Sequence, residues 1–260
     1  MPAPAAQPSD AAPESATNER CYRCFWPKRL CWCGSIRPMA TRTKIVLLMH
    51  PKEWKEQRTG TGRLTHLCLA DSELIMGIGF DDHERVQEMI RDPENFPTLL
   101  YPGPQARALP GGLAAEELGG RRLVVFVLDG TWSCARKMLR LSPSLQRLPR
   151  LMFPPAAPSK FVIKQQPAEG CLCTLEATHE LLLALERAGL ERYPDPAQLP
   201  ELLQRMQSFL IQCASDPAKS GYRRKRGYGT PETRRVTRGP ESSRPLKLFG
   251  GRADKPVSEP

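Results

Sequence analysis

Residues 123–128 read LVVFVL, an unbroken apolar run that stops at Asp129, Gly130, Thr131 and Trp132. A strand with one wet face alternates apolar and polar side chains, whereas a strand covered on both faces does not. This run therefore predicts a central strand buried between two layers. Similar runs precede it at KIVLLMH (44–50), ELIMGI (73–78) and PTLLYP (97–102), and shorter ones follow at RLMF (150–153) and FVIK (161–164). Between and after them lie segments of helical periodicity: GRLTHLCLA (62–70), DHERVQEMIRD (82–92), SCARKMLRL (133–141), TLEATHELLLALERAG (174–189) and PAQLPELLQRMQSFLIQCA (196–214). Strands alternating with helices predict an α/β fold, a mostly parallel sheet covered by helices. Ligands of such sheets bind beyond the carboxyl ends of the strands. Three strand ends carry chemically capable residues, HPKEWKEQRTGTG (50–62), LYPG (100–103) and DGTW (129–132), and CTLEA (173–177) opens a helix.

A second constraint comes from cysteine spacing. Cys21, Cys24, Cys31 and Cys33 form a CxxC, six-residue gap, CxC arrangement that lets four thiolates converge on one tetrahedral Zn2+. With no fifth ligand in view the site is closed and structural, and the metal stands in for the core that so short a segment cannot build. The remaining cysteines, Cys68, Cys134 and Cys213 in helical patterns and Cys171 and Cys173 beside a loop, read as small buried apolar residues. The organisation that follows is a disordered N-terminal tail (1–19), a zinc-binding segment (20–40), an α/β domain (41–215) and a basic disordered C-terminal tail (216–260).

The net charge of +10 is concentrated at the C-terminus, where Pro217 to Pro260 holds twelve Lys or Arg against four Asp or Glu, a net +8. Arginines interleaved with Tyr222, Tyr228 and Phe249 suit a polyanion, with phosphates on the cations and bases stacked on the rings. The proline-rich N-terminus has neither the basic start nor the apolar centre of a secretory signal. No apolar run approaches a membrane span, so a cytoplasmic protein without membrane contact is expected. GxGxxG, Walker and GxSxG patterns are absent, which leaves nucleotide hydrolysis and serine esterase chemistry without support. His50, His66, His83 and His179 are too dispersed to suggest a metal set or a triad. Thr131 or Ser133 can cap the helix after DGTW, and Gly130 allows a ligand close to the backbone.

The cysteine cluster, HPKE, TGTGRL, LYPG, LDGTWSCARKML and CTLEA, in that order from Arg20 to Ala214, resemble the DTW-domain family of tRNA-uridine aminocarboxypropyltransferases. The most specific match is the D-x-T-W signature at Asp129 to Trp132. The resemblance implies a SPOUT-like fold with a C-terminal knot. It implies transfer of a 3-amino-3-carboxypropyl group from S-adenosyl-L-methionine to N3 of a tRNA uridine, by family analogy in the variable loop, with release of 5′-methylthioadenosine. Under it, Asp129 is the general base or, in a rival role, the ligand of the donor's ammonium group. The donor pocket would draw on Leu100, Tyr101 and Pro102, on Gly130, Thr131 and Trp132, and on Thr174, Leu175 and Glu176. Arg63, Arg136 and Lys137 would meet tRNA phosphates. A SPOUT-type RNA methyltransferase using the same donor and a non-catalytic zinc-containing RNA-binding module stay open as alternatives, as do the oligomeric state and the tRNA modified.

Overall fold

The computed structural model describes residues 19–28, 31–56, 60–154, 157–163 and 170–215. The two tails, apart from Glu19, lie outside the described residues.

Six strands, β1 (Lys44–Met49), β2 (Ser72–Met76), β3 (Asn95–Leu100), β4 (Arg107–Ala108), β5 (Arg122–Asp129) and β6 (Arg150–Met152), form one sheet in the order β2-β1-β5-β3-β6-β4. Every neighbouring pair is parallel. The LVVFVL run lies within β5, near the middle of the sheet, with Leu123 to Val127 buried. Among the described residues eight α-helices accompany the strands: α1 (Pro51–Glu56), α2 (Thr61–Cys68), α3 (Glu84–Arg91), α4 (Ala115–Leu118), α5 (Trp132–Arg140), α6 (Pro143–Gln146), α7 (Thr174–Arg187) and α8 (Gln198–Ser215).

The two-residue period of a strand divides its side chains between the two faces. Ile45, Leu47, Val125 and Val127 join a core with Leu64 of α2, Leu181 and Leu185 of α7, and Leu202 and Met206 of α8. Val46, Leu48, Val124 and Phe126 face a second core with Val86 and Met89 of α3, Met138 of α5 and Leu145 of α6. A sheet covered on both sides explains why β1 and β5 show no polar alternation. No helix among the described residues is long and apolar enough to cross a membrane.

Three local readings change. HPKEWKE is a helix start, because Pro51 occupies the first turn of α1, where a missing N–H costs nothing. A two-residue strand, β4, arises between PTLLYP and LVVFVL, where the apolar runs mark no strand. The FVIK segment is not a strand over its described part: Phe161 and Ile163 are buried, and the Val162 N–H donates to Gln207 Oε1 of α8 at 2.6 Å instead of joining the sheet. Apolar composition there reflects a buried turn, which a four-residue window does not separate from a strand.

Parallel register sets the site. Met49 lies opposite Asp129, and Leu100 lies opposite Val127, so the ends of β1, β3 and β5 open at one edge of the sheet.

Candidate active site and metal centre

Asp129 is the last residue of β5 and is only 5% exposed. A carboxylate withdrawn from water needs compensating donors. The hydroxyl of Thr174, the first residue of α7, donates to its Oδ1 at 2.5 Å. Its backbone carbonyl accepts the N–H of His50 at 2.9 Å, which ties the end of β1 to the end of β5. The third wall is backbone: a Cβ at Gly62, in the first turn of α2, would collide with the Asp129 carboxyl group. Residues far apart in sequence, from β5, α2 and α7, thus close around one carboxylate. Gly62→Ala is expected to displace that group or the helix, lowering stability by ~1 to 3 kcal/mol, the usual range for overpacking, and reducing any activity that depends on Asp129. Thermal unfolding and turnover beside Gly111→Ala, where a Cβ meets nothing within 4 Å, would measure both effects.

The opposite side is built by α5. Thr131 is its N-cap and accepts the Cys134 N–H at 3.3 Å, which settles the choice between Thr131 and Ser133. A Cβ on Gly130 would stand 3.2 Å from Cys134 Cβ and 3.4 Å from His50 Cβ, so the turn packs tightly against β1. Trp132 meets Tyr101 edge to face at 6.1 Å, and the Arg150 guanidinium lies 5.9 Å from the Tyr101 ring. Burial pushes the Tyr101 hydroxyl pKa up, against the pull of Arg136 and Arg150. His50 is buried, and its Nδ1 accepts the Lys52 N–H at 3.1 Å, so its neutral form carries the proton on Nε2. Burial lowers its pKa, helped by the charges of Lys52 and Lys137, and favours that neutral form.

The residues singled out from the sequence separate into groups. Asp129 and Thr174 are hydrogen-bonded, Gly130 and Thr131 form the turn beside them, and Tyr101 and Trp132 meet edge to face, with Leu100 and Pro102 flanking Tyr101 in the chain. Leu175 is buried in the core. Glu176 is engaged locally: its Oε1 accepts from the Lys160 N–H at 2.6 Å, and its Oε2 accepts from Ser159 Oγ at 2.7 Å and the Cys173 N–H at 3.0 Å. That carboxylate caps α7 and pins the preceding segment. Arg136 and Lys137 are exposed on α5. Arg63 is not on the surface; it is 6% exposed, in the corner between the rings of Phe25 (4.0 Å) and Trp54 (4.2 Å). Trp54 and Gly62 were passed over as individuals and His50 was set aside as one of four dispersed histidines, although HPKE and TGTGRL contain or flank them.

The cysteine segment folds into a knuckle. The Cys21 N–H donates to Trp26 O and the Phe25 N–H to Cys21 O, both at 2.7 Å, and Phe25 takes a left-handed φ of 61° to complete the turn. Sγ separations are 3.8 Å for Cys21 and Cys33 and 3.7 Å for Cys24 and Cys31, with all four sulfurs within 4.8 Å of one another. A tetrahedron with Zn–S bonds of ~2.3 Å has edges of ~3.8 Å, so four thiolates so placed can hold a metal ion. The Cys21 thiol is pulled down to about 6, chiefly by the Cys24 backbone N–H, while burial raises Cys24 and Cys33. The knuckle is fixed to the domain by Trp26, 3% exposed, which packs edge to face on Trp32 at 5.3 Å and on Phe209 of α8 at 6.0 Å. Its Phe25 also meets Trp54 at 5.4 Å.

The DTW domain model matches residues 18–211, which take in the knuckle, the Asp129 strand end and α7. The chain is 32% identical over 183 residues to the protein named tRNA-uridine aminocarboxypropyltransferase 2 in Drosophila melanogaster, an alignment covering 68% of this chain and 70% of the fly protein. It is 29% identical over 172 residues to the protein of the same name in Mus musculus, covering 64% of this chain and 56% of the mouse protein. The chain thus spans little more than half the length of its mouse relative. No solved structure matches it. With the family model covering most of its length and the signature carboxylate at the centre of the strand-end cradle, the chain belongs to the DTW-domain family.

Proposed function

We propose that this chain is a tRNA-uridine aminocarboxypropyltransferase that moves the 3-amino-3-carboxypropyl group of S-adenosyl-L-methionine to N3 of a uridine. The observation that carries this reading is the buried Asp129 carboxylate, held by the Thr174 hydroxyl and seated where Gly62 lacks a Cβ, beside a turn with the D-x-T-W signature. It is supported by the relatives in Drosophila melanogaster and Mus musculus, both named tRNA-uridine aminocarboxypropyltransferase 2.

The donor supplies a sulfonium whose γ-carbon is open to displacement. Asp129 accepts the N3 proton, so that the N3 electron pair forms the new N–C bond while the C–S pair departs with sulfur in 5′-methylthioadenosine. Such a positioned base contributes ~10² to 10⁴ in rate. Thr174 fixes the carboxylate, and Tyr101 and Trp132 offer apolar surface for the adenine at the neighbouring strand end. The exposed Lys52, Arg136 and Lys137 lie on the same rim and suit tRNA phosphates, positioning the nucleic acid without reading its sequence. The uridine is assigned to the variable loop, and the basic C-terminal tail adds affinity for the same partner.

We further assign Zn2+ to Cys21, Cys24, Cys31 and Cys33, where it would hold the knuckle and take no part in the reaction. A SPOUT-like arrangement with a C-terminal knot belongs to the same reading, and the all-parallel sheet is compatible with it. Nucleoside mass spectrometry of tRNA incubated with the chain and donor tests the whole reading. The 3-amino-3-carboxypropyl uridine is expected; a methylated nucleoside would move the chain to the methyltransferases, and tRNA binding without any product would make it a binding module.

A further inference from the structure

Arg63 combines features that a purely structural arginine does not need. It is 6% exposed, yet among the described residues its guanidinium donates to one acceptor, the Trp54 carbonyl, through Nη2 at 2.9 Å. Nε is fully buried and has no partner among the described residues. A guanidinium offers five N–H donors, and withdrawing that charge from water is costly unless anions or acceptors replace the solvent. Phe25 and Trp54 meet each other edge to face and wall the cation at 4.0 and 4.2 Å, so aromatic faces rather than hydrogen-bond acceptors surround it there. Burial lowers the Arg63 pKa, and the Asp129 carboxylate opposes that loss. The chain has therefore placed a rigid, desolvated cation one residue beyond Gly62, whose backbone touches the Asp129 carboxyl group.

We propose that Arg63 is the residue that holds the carboxylate of the donor's amino-acid end and so selects an α-amino acid sulfonium. The inference rests on the donor reading given above. A carboxylate matches the planar fork, which a lysine ammonium would not reproduce. In the transferred group the carboxylate is three bonds from the reacting carbon, so an anchor next to Gly62 fixes that carbon near Asp129. A tRNA phosphodiester is a poor fit to the same cation, because it is bulky on both sides and Arg63 lies beneath the surface between two rings. Arg63 is a binding and specificity residue in this role, and the knuckle contributes through Phe25.

The test is calorimetric titration of the full chain with three ligands: S-adenosylmethionine, its decarboxylated form, and 5′-methylthioadenosine, which lacks the amino-acid end. The wild-type chain is expected to bind the decarboxylated donor ~10 to 100-fold more weakly than S-adenosylmethionine, the range for a charge-assisted hydrogen-bonded pair. Arg63→Met should bind the two donors equally, and Arg63→Lys should fall between. Affinity for 5′-methylthioadenosine should stay within about twofold in both variants, which also shows that the pocket has folded. Should Arg63→Met fail to fold, the wild type and Arg63→Lys still carry the comparison. Equal weakening of all three ligands would make Arg63 structural and overturn the proposal. So would a variant that discriminates between the donors as the wild type does, or one that loses only tRNA affinity. A wild-type chain that binds none of the three ligands would overturn the donor reading itself, and the proposal with it.

Discussion

Replacing Asp129 by Asn is expected to reduce turnover ~10² to 10⁴-fold at saturating donor while leaving tRNA affinity unchanged. The substitution preserves the size of the side chain and an oxygen for the Thr174 hydroxyl, so the packing against Gly62 and the bond to α7 survive. What it removes is the group that takes the N3 proton. An amide is not a base at neutral pH, and its N–H2 would face the nucleophile with donors where an acceptor is needed. Thr174→Val should have a smaller effect, because the carboxylate remains but loses the hydroxyl that aims it. Single-turnover kinetics with excess donor separate the alternatives. A near-normal rate in Asp129→Asn with a raised donor KM would assign the carboxylate to the donor's ammonium group and leave the base to be sought elsewhere.

Cys24→Ser is expected to cost the chain its stoichiometric zinc and much of the order of its N-terminal segment. Cys24 is the most buried of the four ligands, with Sγ 3.7 Å from that of Cys31. Segments of this size have little core of their own, and zinc binding in comparable peptides supplies ~10 to 16 kcal/mol of folding free energy. The consequence extends beyond the knuckle, since Trp26 packs on Phe209 of α8 and Phe25 lies against Arg63 of α2. Metal analysis together with thermal unfolding should show zinc and stability falling in parallel, and chelation of the wild type should reproduce the change. Protein purified without chelator that contains no zinc would refute the assignment.

How much of this was legible in the sequence follows from the range of each interaction. The apolar runs at 123–128 and within 44–50 declared themselves as buried strands because side chains packed between two helical layers are apolar, a local signal. The order β2-β1-β5-β3-β6-β4 was not legible, since pairing between distant strands leaves no mark on a single sequence. The FVIK segment carries the composition of a strand but serves as a buried turn against Gln207. At the site, Asp129, Thr131 and Trp132 form one contiguous motif and were found as such. Thr174 was placed in the donor pocket, but its bond to Asp129 spans 45 positions and depends on how α7 returns to the sheet. Arg63 was read as a contact for tRNA phosphates from its place in TGTGRL. Its burial follows from the knuckle folding over α2, which joins residues 25, 54 and 63.

The central claim concerns which carbon next to sulfur is presented to the nucleophile, and the donor's co-product reports it directly. Chromatography of a reaction containing the chain, tRNA and S-adenosyl-L-methionine should show 5′-methylthioadenosine accumulating one for one with modified uridine, and the signal should fall with Asp129→Asn. S-adenosylhomocysteine in its place, accompanied by a methylated nucleoside, would contradict the account.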